Sequence, residues 1–468
     1  MAHERADEQL RVSYAGVRGI YGRSLTLDVA ARFAHAFVRM LSARQADPLI
    51  VLGKDTRASG KALEQAVLRG LAQMECRVVD IGVVPSPTLQ VMMRHEGADG
   101  GLTITASHNP PQWNGFKFLI GPHHIILDAE QTAELFRLES VLSTTYDPAD
   151  AVAPTREAHE EALRIHVERV LDRVEAGAVR AQRFRVAVDA AEGAGESAGT
   201  ELLERLGCQV IPIEVARDSE PTAENLAALR EETRLHRCAV GFAQDVDADR
   251  LIVVSETGEF IGEEYTLALV VKHLLEKTRG QPRVVVKNSA TSRMVDDLAQ
   301  AAGAEVVEVR VGEVNLSKAI IEAEAQGKVA FGGEGNGGVI DLRVSPVRDS
   351  LVGIALVLQL MAETGKSIGE LVQEIGHYSM HKDKFAADPE QARRIMELAV
   401  ERFPQATLNT SDGCRLDFPD GWIHLRTSNT EPVMRVIVEA KDESTARRYI
   451  EAVSDIRKSV LEPSDARK

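Results

Sequence analysis

Leu49-Ile50-Val51-Leu52-Gly53-Lys54-Asp55 is an apolar run that stops at a polar turn. A helical pattern over 63–74 follows, and then a second apolar strand, Arg77-Val78-Val79-Asp80. Strand, loop, helix, strand is the grammar of a βαβ unit, whose strands run parallel. The plan returns at Arg185-Val186-Ala187-Val188-Asp189, with a Gly/Ala loop, a helix around 202–206 and Cys208-Gln209-Val210-Ile211. It returns again at Val284-Val285-Val286-Lys287-Asn288, with a helix over 294–302 and a strand over 304–309. Such internal repetition means repeated domains. Each unit closes on a further apolar strand that runs into a polar loop: Leu102-Thr103-Ile104 into TASHN, 239–242 into AQDVDADR, and 329–331 into GGEGNGG. Ligands of open α/β sheets bind beyond the carboxyl ends of strands, so the three loops are expected to share one cleft. From about Lys366 the pattern changes, to helices over 368–375 and 390–403 and short strands over 421–425 and 433–438. The expected architecture is α/β, with three related α/β domains of mixed sheets plus a smaller α+β C-terminal domain around a central cleft. The expected divisions are 1–152, 153–255, 256–365 and 366–468, with a charged helical pattern over 160–175 opening the second domain.

A chain of 468 residues is too long for one core. The net charge of −16 disfavours a nucleic-acid partner, since phosphate backbones demand clustered basic residues. It leaves room for a small phosphorylated ligand held by a few local cations. Cys76, Cys208, Cys238 and Cys414 are scattered without CxxC spacing, which fits a reducing compartment and argues against a zinc site. No apolar run approaches the length of a membrane span, and no apolar signal core follows Met1. A cytoplasmic location is the expectation.

The first loop reads Thr105-Ala106-Ser107-His108-Asn109-Pro110-Pro111, with Asn114-Gly115 and Lys117 beyond it. The two prolines stiffen it and forbid a continuing helix. A stiff loop that holds a hydroxyl near a histidine and a lysine presents Ser107 as a candidate nucleophile. In the second loop Asp245, Asp247 and Asp249 alternate directly after a strand. Carboxylates this close are costly unless a cation neutralises them, and an oxygen-only set suits Mg²⁺, Mn²⁺ or Ca²⁺. An EF-hand is excluded because Arg250 stands where the sharp turn needs glycine and the flanks alternate as strands. In the third loop, glycines let backbone approach a ligand, while Glu334 and Asn336 suit sugar hydroxyls. Arg426-Thr427-Ser428-Asn429-Thr430-Glu431-Pro432 gathers a guanidinium, short polar side chains and backbone N–H groups, a composition suited to a phosphate. Taken singly, the first and last of these stretches would read as surface turns.

With these four loops in this order, the chain resembles the α-D-phosphohexomutase family over nearly its full length. Gly16-Val17-Arg18-Gly19, Gly53-Lys54-Asp55-Thr56-Arg57 and Pro85-Ser86-Pro87-Thr88 are smaller matches. The resemblance implies four domains around a central cleft and a Mg²⁺-dependent, reversible shift of phosphate between O1 and O6 of a hexose. It implies that Ser107 carries the phosphoryl group, and that Ser107, Asp245, Asp247 and Asp249 together hold the cation. The phosphoryl group then passes to the sugar through a hexose 1,6-bisphosphate that turns end for end. Lys117 is similar to the residue placed for proton transfer, with Arg250 and His108 in support. Glu334 and Asn336 match the sugar loop, Arg426, Ser428, Asn429 and Thr430 the phosphate loop, and Arg18 and Lys287 further polar positions of the cleft. The implied partner is a small sugar phosphate, with no nucleic acid or membrane, bound by a monomer or homodimer.

The sugar is written less plainly. Many phosphomannomutase/phosphoglucomutase sequences have Ser where Asn336 stands and a Gly-His pair in the third domain. Here that segment reads Val311-Gly312-Glu313-Val314-Asn315, closer to the phosphoglucosamine mutase branch. Asn429 points the other way, and Ala15 replaces a usual polar residue. The expectation is a glucosamine phosphate, with mannose or glucose phosphate as the alternative. Two other classes fit the residues less well. A serine hydrolase on Ser107-His108 lacks a GxSxG elbow, and neighbours along an extended loop point apart. A non-catalytic binding protein would not need the nucleophile, the aspartates and the lysine together.

Overall fold

The computed structural model describes residues 10–13, 16–427 and 433–461. Ala15 and the 428–432 part of the fourth loop, with Ser428, Asn429 and Thr430, lie outside the described residues.

Three sheets repeat one topology. Leu49–Lys54 lies parallel to Arg77–Val83 on one side and Gly100–Ile104 on the other, and Trp113–Ile120 then pairs antiparallel with Gly100–Ile104. Arg185–Asp189, Gln209–Pro212, Val240–Gln244 and Leu251–Val254 follow the same order and directions. So do Arg283–Asn288, Glu305–Val309, Val329–Glu334 and Gly338–Asp341. The βαβ pattern accounts for each parallel trio. The fourth strand reverses because the segment before it is a short hairpin turn, whereas a parallel return needs a crossover. The loops at 105–112, 245–250 and 335–337 are therefore hairpin turns at strand ends. Lys117 is thus carried on a strand, opposite Thr103, and not on the loop itself. The first sheet also takes in Arg11–Ser13, Gly16–Ile20, Ile125–Ile126 and Thr155–Glu157.

One apolar core runs through the first three units. It joins Val91 and Met92 on the helix Ser86–Glu96, Ala162 and Val167 on His159–Arg173, Leu202 on Glu196–Arg205 and Val270 on Glu264–Lys277. At its centre lies the helix Ser350–Thr364, buried all round from Ser350 to Met361, as a helix apolar on every face must be. Asp349 caps it, accepting from the amides of Leu351 and Val352. Among the described residues no single helix is long and apolar enough to cross a membrane.

The C-terminal unit is an antiparallel sheet of five strands in the order Ser379–Ala386, Val433–Ala440, Gly421–Thr427, Cys414–Phe418 and Thr407–Asn409. The helices Pro389–Arg402 and Glu443–Leu461 pack with it around a separate core that includes Ile395, Ile423, Leu425 and Val438. Polar contacts join it to the third unit: Ser289 Oγ donates to Asp412 (3.0 Å), Asn409 to Glu308 (3.0 Å) and Lys382 Nζ to Glu263 (2.6 Å) and Glu264 (2.9 Å). A separate core joined by polar contacts makes relative domain motion the default.

Glu264 is the costly member of this junction. Burial raises its carboxyl to about 7 despite Lys382. A carboxyl whose folded pKa lies above its ordinary value contributes stability at low pH that is lost as pH rises through the folded pKa. Glu264→Gln is therefore expected to gain in Tm relative to the parent as pH is raised from about 5 to about 8. A gap that stays constant across that range would contradict the shift.

Candidate active site

Ser107 occupies the first hairpin turn, in the left-handed region at φ +51°. For a residue with a side chain that conformation costs about 1–3 kcal/mol and persists only where the surroundings over-determine it. They do so here. The Ser107 amide donates to Thr105 Oγ1 (2.9 Å), and Thr105 Oγ1 donates to Asp55 Oδ2 (2.6 Å). Arg57, held by Asp55, donates to the carbonyls of Ser107 (2.6 Å), Asn109 (2.7 Å), Pro110 (2.9 Å) and Trp113 (3.1 Å). Arg18, on Gly16–Ile20, donates to Asn109 Oδ1 (2.8 Å). The left-handed turn also corrects one sequence expectation. Ser107 and His108 do not point apart; Ser107 Oγ lies 3.3 Å from His108 Nδ1.

The second loop meets the first from across the cleft. Asp245, Asp247 and Asp249 are buried, each with a carboxylate oxygen within 4.8 Å of the others. Lys117 Nζ donates to Asp247 Oδ2 (2.7 Å) and Asp249 Oδ2 (2.9 Å). Burial alone would lower the Lys117 pKa, but Asp247 and Asp249 carry it above the ordinary lysine range. Ser86 Oγ donates to Asp247 Oδ2 (3.0 Å). Arg250 grips Asp245 (2.9 Å) and Glu220 (2.8 Å), and Glu220 lies 3.8 Å from His108 Nε2. A line of polar contacts thus runs from the Ser107 hydroxyl through His108, Glu220 and Arg250 to Asp245. Burial pushes the Asp245 carboxyl up, while Arg348 and Lys117 hold Asp249 below the usual carboxylate range against its burial.

The donor set fits a hard divalent cation. The Oδ1 atoms of Asp247 and Asp249 are buried without a hydrogen-bond partner, while their Oδ2 atoms are anchored by Lys117, Ser86 and Arg348. A buried, unsatisfied carboxylate oxygen is expensive, and oxygen ligands are what Mg²⁺ takes.

In the third loop the glycines serve packing. Gly333 sits at φ +150°, and a Cβ there would meet the Gly338 carbonyl. A Cβ at Gly335 would collide with the Glu264 carboxylate. Glu334 accepts from Asn288 (3.0 Å), Asn336 (3.2 Å) and Arg348 (2.7 Å). Arg348 also donates to Asp249 (2.7 Å) and Glu313 (3.1 Å), so one guanidinium joins the second loop to the third. Lys287 is not brought to Glu334. Its ammonium faces Asp296 (2.8 Å) and Glu308 (3.3 Å), and the neighbouring Asn288 reaches Glu334 instead. Arg426 lies 3.4 Å from Asp412 and, with Arg310, Lys318, Asn315 and Asp128, lines a cavity of about 560 Å³.

Sequence reasoning missed Arg348, Glu220, Glu313 as a partner of Arg348, and the bracing role of Asp55 and Arg57. GKDTR and PSPT carry a signal for the last two and for Ser86. Glu220 and Arg348 stand in no motif, and only the packing of domains brings them in.

Sequence profiles of phosphoglucomutase/phosphomannomutase domains match the chain in order. Alpha/beta/alpha domain I covers 10–137, domain II 164–258, domain III 263–378 and the C-terminal domain 382–456. A phosphoglucomutase/phosphomannomutase of Thermococcus kodakarensis is 35% identical over 450 residues, covering 93% of this chain and 96% of that protein. A protein of Methanopyrus kandleri named a probable phosphoglucosamine mutase is 35% identical over 459 residues, covering 96% and 98%. The crystal structure of a phosphoglucomutase/phosphomannomutase family protein from Burkholderia thailandensis shares the fold. Its TM-score is 0.82 at 23% identity, covering 97% of this chain and 99% of that one.

Proposed function

The chain belongs to the α-D-phosphohexomutase family and is an isomerase of the intramolecular phosphotransferase kind, and from that premise we propose that Ser107 is its phosphoryl carrier and a glucosamine phosphate its preferred substrate. The observation that carries the first part is the junction of the Ser107 turn with the aspartate trio. Lys117 and Ser86 reach Asp247 directly, and His108, Glu220 and Arg250 complete a second path. In this reading the phosphoryl group on Ser107 Oγ passes to the free hydroxyl of the bound hexose phosphate. The bisphosphate turns end for end, its other phosphate returns to Ser107, and the isomer leaves. Lys117, kept charged by two carboxylates, gives a proton to the departing Ser107 oxygen and regains one from the sugar hydroxyl that attacks, and the return step runs the same two transfers in reverse. Asp245, Asp247 and Asp249 would hold Mg²⁺, which when bound supplies a Lewis acid beside the transferring phosphoryl oxygens. Glu334 and Asn336 would bind the sugar, and Arg426, with Ser428, Asn429 and Thr430, the phosphate that is not reacting.

Arg426→Ala is then expected to act on KM. A charge-assisted hydrogen bond is worth about 1.5–3 kcal/mol, so KM should rise on the order of 10–100-fold with kcat little changed. An unchanged KM would remove Arg426 from the ligand.

The amino sugar is supported by Glu313. It stands where many mannose/glucose mutases carry histidine, and it shares the single guanidinium of Arg348 with Glu334 and Asp249. A carboxylate in place of an imidazole makes that wall more negative, which favours a sugar ammonium over a neutral hydroxyl. Asn429 favours the second reading, a mannose or glucose phosphate. The deciding experiment compares kcat/KM for glucosamine, N-acetylglucosamine, glucose and mannose phosphates, each primed with its bisphosphate. Glucosamine phosphate should lead; faster turnover of glucose or mannose phosphate would overturn the assignment.

A further inference from the structure

Behind the aspartate loop lies a polar array that takes no part in the reaction just described. His166, on the helix His159–Arg173, is 0% exposed, and its two ring nitrogens face different domains. Nδ1 lies 2.8 Å from Thr88 Oγ1, and Nε2 lies 2.8 Å from Asp349 Oδ2. A carboxylate only accepts, so Nε2 carries the hydrogen toward Asp349, and in the neutral ring Nδ1 is then the acceptor of the Thr88 hydroxyl. Hydroxyl, imidazole and carboxylate in a row have the order of a hydrolytic triad. Thr88, however, is 0% exposed within the helix Ser86–Glu96, so no substrate reaches it. The array has another use.

Each end of it adjoins a grip on the aspartate loop. Two residues before Thr88, Ser86 donates through Oγ to Asp247 Oδ2 (3.0 Å) and through its amide to the Asp247 carbonyl (2.9 Å). On either side of Asp349, Arg348 donates to Asp249 Oδ2 (2.7 Å) and Ser350 Oγ to the Ala248 carbonyl (2.6 Å). Asp247 is thus held from the first unit and the 248–249 end of the loop from the third. His166, from the second, spans the backs of both grips. Buried groups of this kind are satisfied or costly, so the two grips are locked to one another through a single imidazole.

We propose that His166 is a positioning residue for the metal loop, setting the relative placement of Asp247 and Asp249 through Thr88 and Asp349. The inference rests on the reading of the aspartate trio as the cation site. Its two hydrogen bonds are made without contact to the loop, and the residue changes no charge there, so the effect of removing it has one sign: the carboxylates lose their mutual registration and cation affinity falls.

The test titrates Mn²⁺ into the full-length protein and follows free Mn²⁺ by electron paramagnetic resonance, well below each variant's Tm. His166→Leu, which loses both bonds, should weaken Mn²⁺ binding about tenfold, the low end of what outer-shell partners of metal ligands cost. His166→Gln, whose amide reaches the Nε2 position and still donates to Asp349, should recover most of that loss. Thr88→Val, which removes one hydroxyl at nearly constant volume, should show a partial loss and serves if His166→Leu does not fold. Val170→Ala, a cavity in the same helix, should lower Tm and leave Mn²⁺ affinity alone, which separates positioning from general destabilisation. Mn²⁺ affinity in folded Thr88→Val equal to that of the parent, or no loss in folded His166→Leu beyond that of Val170→Ala, overturns the role of His166. Retention of Mn²⁺ by Asp247→Ala would instead bring down the cation reading itself, and this inference with it.

Discussion

Ser107→Ala is expected to abolish interconversion of hexose phosphates while leaving their binding intact. The change removes one oxygen and little else. The bonds that brace the turn run through the Ser107 amide to Thr105 and through its carbonyl to Arg57, and both survive in alanine, which pays the same left-handed backbone cost as serine. Stability and cleft shape should therefore hold. What is lost, on the proposed function, is the atom on which the phosphoryl group would be carried, and removing a covalent nucleophile leaves only the contribution of binding and electrostatics. A fall in kcat of at least about 10³-fold is the expectation, with the Kd of hexose 6-phosphate by calorimetry changed by less than about threefold. Intact-mass spectrometry supplies an independent reading. The parent should take up a phosphoryl group from hexose 1,6-bisphosphate, and the variant should not. A variant that keeps a tenth of the parental rate would take Ser107 out of its role and leave the family chemistry to another group.

The legibility of this site in the sequence follows from how each residue is held. Hairpin turns at strand ends are local, so TASHN, DVDADR and GGEGNGG announce themselves by an apolar run that breaks into polar or glycine-rich residues. The direction of the following strand is local too, yet periodicity alone does not distinguish a parallel strand from the antiparallel return, and Lys117 looked like a loop residue for that reason. Glu220, Arg348 and His166 were illegible on a different ground. Each sits in ordinary-looking sequence, and its contact with another domain (Glu220 with His108, Arg348 with Asp249, His166 with Thr88 and Asp349) forms only when that domain docks. Arg348 is an unremarkable arginine until Asp249, Glu313 and Glu334 close on its guanidinium. The glycines of the third loop show the opposite error. They read as room for a ligand, whereas Gly333 and Gly335 make room for the protein's own backbone and for Glu264. Lys287 was placed by resemblance alone, and its side chain turns to Asp296 and Glu308.

The second large effect is expected at Asp247, the aspartate on which the neighbouring domain's cations and hydroxyls converge. Its Oδ2 accepts from Lys117 and Ser86, and its Oδ1 is a buried atom without a hydrogen-bond partner, one of the two on which the proposed cation site rests. Asp247→Asn separates these two jobs. An amide keeps the volume and an acceptor for Ser86, but it removes the charge that a hard cation requires and that keeps Lys117 protonated in a buried place. Mn²⁺ affinity should fall by more than about 100-fold, beyond the range seen when only an outer-shell partner is lost, and kcat should fall with it. Asp247→Ala should lose the same functions and, because it also takes away the side-chain acceptor of the Ser86 hydroxyl and the Lys117 ammonium, more stability as well; a buried donor left without a partner costs about 1–3 kcal/mol. The contrast between the two variants assigns the effect. Equal loss of Mn²⁺ binding in both, with a lower Tm in the alanine variant only, assigns the cation to the Asp247 charge and the structural debt to its side-chain acceptor. Full mutase activity in either variant after treatment with a chelator would mean that the trio holds no catalytic cation, and that Lys117, Arg250 and Arg348 alone neutralise the transferring phosphoryl group.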